Sequence, residues 1–371
     1  MRKLVTYLLV FAAVMALVIA FVAFRDDISE DTLGFFSNLF GREEEGEEDG
    51  RVYYDEGNIF ALCDGKLAAL SGDRLVLYDR SGAERVSRPV AFDSPALTVA
   101  GSKVLAYDRV GGGLLAANTG GILEEFDFPV LTAGGNARGE YVLVTEEDGY
   151  RGVARLYDSK NNPRYQVLSG ERYIWAASLS PSGDRMAVAA MGQSGQTVGL
   201  RVTFHDTRAD AGAPLGVAEI ADEVALAVAS PDNNHVCIIT ESGVYFYTDD
   251  GLPLGEYPFG GQTLLSTPYA TSEAVFLNLG RNAGGQYSQL VCLSYTGTEN
   301  DRVSFTEGPT GFAAAGGVCA VLEAGVLTRF TLDGTALLTE DLGPCAARDV
   351  LVSEDGRILL LYSGYAEWYN G

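Results

Sequence analysis

The sextet Leu77-Tyr78-Asp79-Arg80-Ser81-Gly82 constrains the fold more than any other stretch, because its pattern occurs eight times along the chain. Alternating apolar residues end on an aromatic. A small polar residue follows, able to bond the backbone ahead, and then a glycine free to take positive φ. The sextet therefore reads as the end of a strand and the turn out of it. The aromatic position is filled by Tyr78, Ala117, Tyr157, His205, Tyr247, Tyr295, Phe330 and Tyr369. The next position holds Asp79, Asn118, Asp158, Asp206, Thr248, Thr296, Thr331 and Asn370, every one of them Asp, Asn or Thr. The steps of 39, 40, 48, 42, 48, 35 and 39 residues lie near the period of about 40 to 45 of a four-stranded propeller blade.

From Arg51 onward, short apolar runs are split by Gly, Asn, Asp, Ser and Pro, without helical periodicity of useful length. The fold class is all-β. Each repeat reads as strands A to D. In the clearest unit, A covers 175–179, B 185–190, C 199–204 and D 215–220, with Ser180-Pro181-Ser182-Gly183-Asp184 as the A to B turn. That turn recurs as Ser230-Pro231-Asp232-Asn233-Asn234 and Ser353-Glu354-Asp355-Gly356-Arg357. The A strands are rich in small residues (Ala176-Ala177-Ser178, Phe312-Ala313-Ala314-Ala315). This suits the innermost strands, where blades converge; the aromatic column reads as wedges between blades. A-B-C triplets begin near Ile59, Ala96, Val130, Trp175, Val224, Leu264, Gly311 and Asp349. Eight blades are expected, with seven as the alternative because the first unit is short. The eighth triplet lacks a fourth strand. Val52 to Tyr54 is expected to fill it, antiparallel to residues 366–369, since an open ring would expose edges.

A chain of 371 residues can form one repeat domain, because each unit packs only on its neighbours. The net charge of −24 leaves 22 basic against 40 acidic side chains beyond residue 50. That field repels phosphate backbones and anionic membrane surfaces, so no nucleic-acid partner is expected. Cys63, Cys237, Cys292, Cys319 and Cys345 form no C-x-x-C pair, which argues against a zinc site. Most lie in apolar runs and read as small buried hydrophobes.

Ahead of the repeats, residues 1–3 (Met-Arg-Lys) read as a cytoplasmic stub and the uncharged residues 4–24 as a transmembrane helix of about 30 Å. A cleaved signal is the competing reading, given Val18-Ile19-Ala20. Positive charge before the span and acids after it place residues 51–371 outside the cytoplasm. Residues 25–50 read as an acidic juxtamembrane linker, with six carboxylates in residues 43–49.

The Ser-Pro-Ser-Gly-Asp turn followed by Arg185-Met186-Ala187-Val188-Ala189 resembles the A to B corner of WD-repeat propellers. The Leu-Tyr-Asp-x-x-Gly corner is similar to quinoprotein and outer-membrane-assembly propellers. Yet there is no Trp-Asp dipeptide, no Gly-His pair and no D-strand tryptophan, so the quinone-docking pattern of those relatives is absent. The whole layout resembles a bacterial family of membrane-anchored propellers of unknown function, and it brings no catalytic residue with it.

The search for chemistry returns little. His205 falls in the aromatic column and His235 follows a turn; neither stands at metal-ligand spacing. No Gly-x-Ser-x-Gly occurs, and Gly111-Gly112-Gly113 joins two strands without opening a helix. No catalytic residue, metal site or cofactor is assigned. The D to A and B to C connections share one face of the ring. There, the apparent longer loops 146–152, 169–173, 191–198 and 280–287 carry Tyr150, Arg151, Arg172, Tyr173, Gln193, Gln196, Arg281, Asn282 and Tyr287. These nine residues are the candidate binding face. The expected function is a non-enzymatic, membrane-tethered extracytoplasmic module binding a protein, peptide or cell-wall component. The alternative is an extracytoplasmic hydrolase or lyase using carboxylates or tyrosine in the central channel.

Overall fold

The computed structural model describes residues 51–194, 197–209, 212–281, 288–331, 335–343 and 347–369. The expected span at residues 4–24, the linker and Cys345 lie outside them. Within the described residues every regular element is a strand, and no helix is long and apolar enough to cross a membrane.

The strands pair into eight antiparallel sheets, each a blade. Their innermost strands are Ile59–Cys63, Pro95–Ala100, Thr132–Gly135, Tyr173–Leu179, Ala225–Ala229, Thr263–Leu264 with Tyr269–Ala270, Gly311–Ala315 and Asp349–Val352. Eight blades is the outcome, and the seven-blade alternative is set aside. The eighth blade takes its outer strand from the start of the domain. Arg51–Tyr53 pairs antiparallel with Tyr365–Trp368, with Arg51 opposite Glu367, Val52 opposite Ala366 and Tyr53 opposite Tyr365. The Tyr54 N–H extends the pairing to the Gly364 carbonyl at 3.0 Å.

Eight hydrophobic cores follow, and each is shared by two consecutive blades. One face of a strand can bury its apolar residues only against the next sheet, so the alternation seen in the sequence becomes a joint between neighbours. The aromatic column supplies these joints as expected. Tyr157 stacks on Tyr141 at 5.1 Å and meets Phe126 of the preceding blade edge-on. His205 lies buried beside Tyr165 of blade 3, its Nδ1 3.3 Å from the tyrosine hydroxyl.

Blade 6 departs from the expected register. Leu293 stands opposite Glu299 where Tyr247 stands opposite Pro253, so the corner residue is Ser294 rather than Thr296. The Ser294 N–H reaches the Thr298 carbonyl, and Tyr295 falls inside the turn. It is buried there all the same, stacked at 4.6 Å on His235 of blade 5, whose Nδ1 bonds Asp232. His235 is thus part of a joint and not a free surface residue.

The small residues of the inner strands have the expected cause. A Cβ on Gly134 would stand 2.8 Å from the Ala177 carbonyl of the next blade, and one on Gly135 would overlap the Val99 carbonyl of the previous one. Between blades 4 and 5 the hydroxyls of Ser178 and Ser230 meet at 2.7 Å.

Candidate functional site

The face carrying the D to A and B to C connections is built differently from the loops anticipated. Blade 3 strands B (Tyr141–Glu147) and C (Tyr150–Tyr157) are joined by a two-residue turn with Gly149 at φ 87. In blade 4, strands B (Arg185–Ser194) and C (Thr197–Asp206) run ten residues each. What reads as loop in the sequence is mostly a strand hairpin rising above the ring. The reason lies in pairing: Gln193 opposite Val198 and Gly192 opposite Gly199 continue the ladder without interruption.

Of the nine candidate residues, Gln196, Asn282 and Tyr287 lie outside the described residues. Tyr150 and Tyr173 are exposed, at 43% and 51%, and the Arg151 guanidinium sits over the Tyr173 ring at 5.1 Å. Gln193 and Arg281 are exposed on the same face. Arg172 is different: its side chain is only 14% exposed, bonds the Gly199 carbonyl at 3.3 Å and pairs with Glu219 at 3.6 Å. Its stem lies under Gly192, where a Cβ would come within 2.6 Å of Cγ. Arg172 props the hairpin and offers little to a partner.

The structure adds residues that sequence reasoning missed. Counted back from the C to D corner, one position near the start of the inner strand breaks the ladder in blades 3 to 8, whereas blades 1 and 2 pair there without interruption. Trp175 falls between the pairs Ile174–Ala190 and Ala176–Ala189, and Leu226 between Ala225–Thr240 and Ala227–Ile239. At the same position the N–H groups of Leu131, Leu265, Thr310 and Arg348 reach the carbonyls of Val144, Asn278, Leu322 and Leu361. A bulge of this kind turns its residue out of the alternation. In blades 4, 5 and 6 the side chains turned out are Trp175, Leu226 and Leu265, exposed by 49%, 46% and 43%. In blades 7 and 8 they are Thr310 and Arg348. The apolar arc thus occupies one side of the ring, and Val198, 59% exposed, lies on the blade 4 hairpin. Only the unusual presence of Trp175 among alanines could have signalled it in the sequence.

On the opposite face the A to B turns surround a depression of about 230 Å³ lined by Leu62, Asp64, Gly101, Asn136, Ala315 and Glu354. Its neighbour Lys103 is committed to the Ser159 carbonyl and Asn161 at 2.9 and 2.8 Å. The buried carboxylates are likewise engaged. Asp108 accepts the N–H groups of Asp93, Ser94 and Val110, which hold it below the usual carboxylate range against the opposing effect of burial. Glu140 pairs with Arg164 at 2.9 Å and accepts from the Asn136 amide. Asp349, at the start of the inner strand of blade 8, differs: it is exposed and accepts the Val350 N–H, yet desolvation of its carboxyl pushes its pKa up. Among the described residues no group of three or more His, Cys, Asp or Glu could hold a metal ion.

A family model covers residues 50–343, nearly the whole ring. The chain belongs to a family of unknown function, DUF5711. No curated protein matches. Among solved structures, the chain is similar to the C-terminal WD40 domain of Sif2, with 11% identity, a TM-score of 0.54, and 85% of this chain and 97% of that one covered. It is equally similar to the quinohemoprotein alcohol dehydrogenase ADHIIG of Pseudomonas putida HK5, at 11% identity and TM-score 0.54, covering 85% and 72%. At such identity these likenesses speak for the propeller fold alone. The DUF5711 ring therefore has to be read from its own surface.

Proposed function

We propose that this DUF5711 propeller is a non-enzymatic binding module, tethered to a membrane through residues 4–24 and held outside the cytoplasm, that engages a polypeptide partner on its D to A face. One observation supports the reading above the others: Trp175, Leu226 and Leu265 are turned out in or beside three consecutive inner strands, where a propeller ordinarily keeps small residues. An exposed tryptophan beside two exposed tyrosines, one of them stacked with an arginine, has the composition of an interface centre. Exposed apolar side chains gathered on one side of a rigid scaffold mark a contact surface more often than they arise by chance.

The test is co-purification from the native membrane. Tyr150→Ala, Tyr173→Ala and Trp175→Ala together should abolish recovery of a specific partner, while each changes stability by less than about 1 kcal/mol, as exposed positions do. Retention of the partner in that variant, with loss on mutating Arg80, Asp232 and Asp355 of the opposite face, would move the functional surface there.

A further inference from the structure

The apolar arc is ringed by negative charge. Glu146, Asp148, Glu171, Asp222 and Glu241, at the B to C and D to A connections of blades 3 to 5, are all exposed and form no ion pair among the described residues. The other acids nearby are engaged. Glu147 pairs with Arg155 at 2.8 Å, Glu219 with Arg172 and Arg201, and Glu223 accepts the Tyr245 hydroxyl. Against the five unpaired carboxylates stand two guanidiniums, Arg151 over Tyr173 and exposed Arg281.

Resting on the reading of this face as a binding surface, we infer that its occupant is a cationic, apolar polypeptide segment: leucine-like or aromatic side chains seated on Trp175, Leu226 and Leu265, flanked by lysines or arginines that meet the acidic rim. The chemistry selects against the other candidates. An anionic glycan or lipid surface would be repelled by the same carboxylates. The contact is spread over three blades and a projecting hairpin, a footprint suited to an extended chain. Complementary charge around an apolar centre fixes partner choice and raises the association rate more than it raises affinity.

The chain has two tryptophans, which supplies the readout. The full chain in zwitterionic nanodiscs is titrated with a tryptophan-free peptide of alternating Lys, Leu and Phe, and with versions carrying Gln or Glu for Lys. The Lys peptide should shift the tryptophan emission in the wild type and not in Trp175→Phe. It should bind at least about tenfold more tightly than the Gln version at low salt, with the difference collapsing near 0.5 M salt. Glu171→Gln, Asp222→Asn and Glu241→Gln together should reduce the preference to less than about threefold. If the Gln peptide binds as well as the Lys peptide, the cationic inference fails and the binding face stands. If none of the peptides perturbs Trp175, and native partner recovery also survives Trp175→Ala, the face reading fails with it.

Discussion

The Tyr78 hydroxyl donates to the Tyr53 carbonyl at 3.0 Å, joining the first blade to the strand that closes the eighth. Next to this bond Val52, 3% exposed, enters the core shared by those blades with Leu67, Val76 and Leu359. Tyr78→Phe should cost about 1 kcal/mol, the net worth of one such bond. Val52→Asp should cost about 3 kcal/mol or more by burying an unpaired charge. Deleting residues 51–55 should lower the melting temperature of the whole ring in one transition. Differential scanning calorimetry showing an unchanged midpoint in the deletion would count against closure by this strand.

His205 gives the ring a pH dependence of known sign. Burial lowers its pKa to about 4, while both ring nitrogens lie within bonding distance of hydroxyls, Tyr165 at 3.3 Å and Thr203 at 2.9 Å. The unfolded chain takes up a proton near pH 6.5 and the folded one only near 4, so stability falls as pH drops through that window. The full difference is of order 3 kcal/mol. Denaturant melts between pH 7 and 4.5 should show the loss in wild type and a smaller one in His205→Phe.

Two glycine substitutions should behave oppositely. At Gly135 a methyl would be driven into the Val99 carbonyl and the Ala100 backbone, neither of which can yield without parting blades 2 and 3. Gly135→Ala should cost about 1 to 3 kcal/mol. Gly170 has open space around its Cβ position, so Gly170→Ala should be neutral or stabilise by a few tenths of a kcal/mol. Paired urea melts decide it, and equal midpoints for the two variants would contradict the close approach of the inner strands.

The proposed topology is tested by external protease on intact spheroplasts of a bacterium expressing the chain. Digestion or release of residues 51–371 is expected from the charges flanking residues 4–24. Protection until the membrane is broken would overturn the extracytoplasmic placement.

The blade count was legible because corner residues such as Asp79, Asp158 and Asp206 are set by local chemistry: each accepts the backbone N–H two residues ahead. The slip in blade 6 has the same origin. Ser294-Tyr295-Thr296-Gly297-Thr298 offers three hydroxyls able to cap the turn, and choosing among them depends on cross-strand pairing that a single segment does not contain. The arc of Trp175, Leu226 and Leu265 was illegible for a related reason, since a bulge changes which way a residue points without changing its neighbours in sequence. Arg172 misled in the opposite direction. A long cationic side chain in a connection reads as exposed until the hairpin above it is known.

Every joint between blades is crossed by the chain itself, including the one from blade 8 to blade 1, where residues 54–58 lead from the closing strand into the first inner strand. The one place where the circle is held without a covalent link is therefore inside a blade, along the three residue pairs Arg51–Glu367, Val52–Ala366 and Tyr53–Tyr365. That makes the ring a band fastened by a clasp. Pulling on the segment ahead of Arg51 would load those few pairs first, and once they part the core around Val52 and the bonds that tie Tyr54 and Glu56 to Tyr362, Ser363 and Gly364 are what resist uncoiling there.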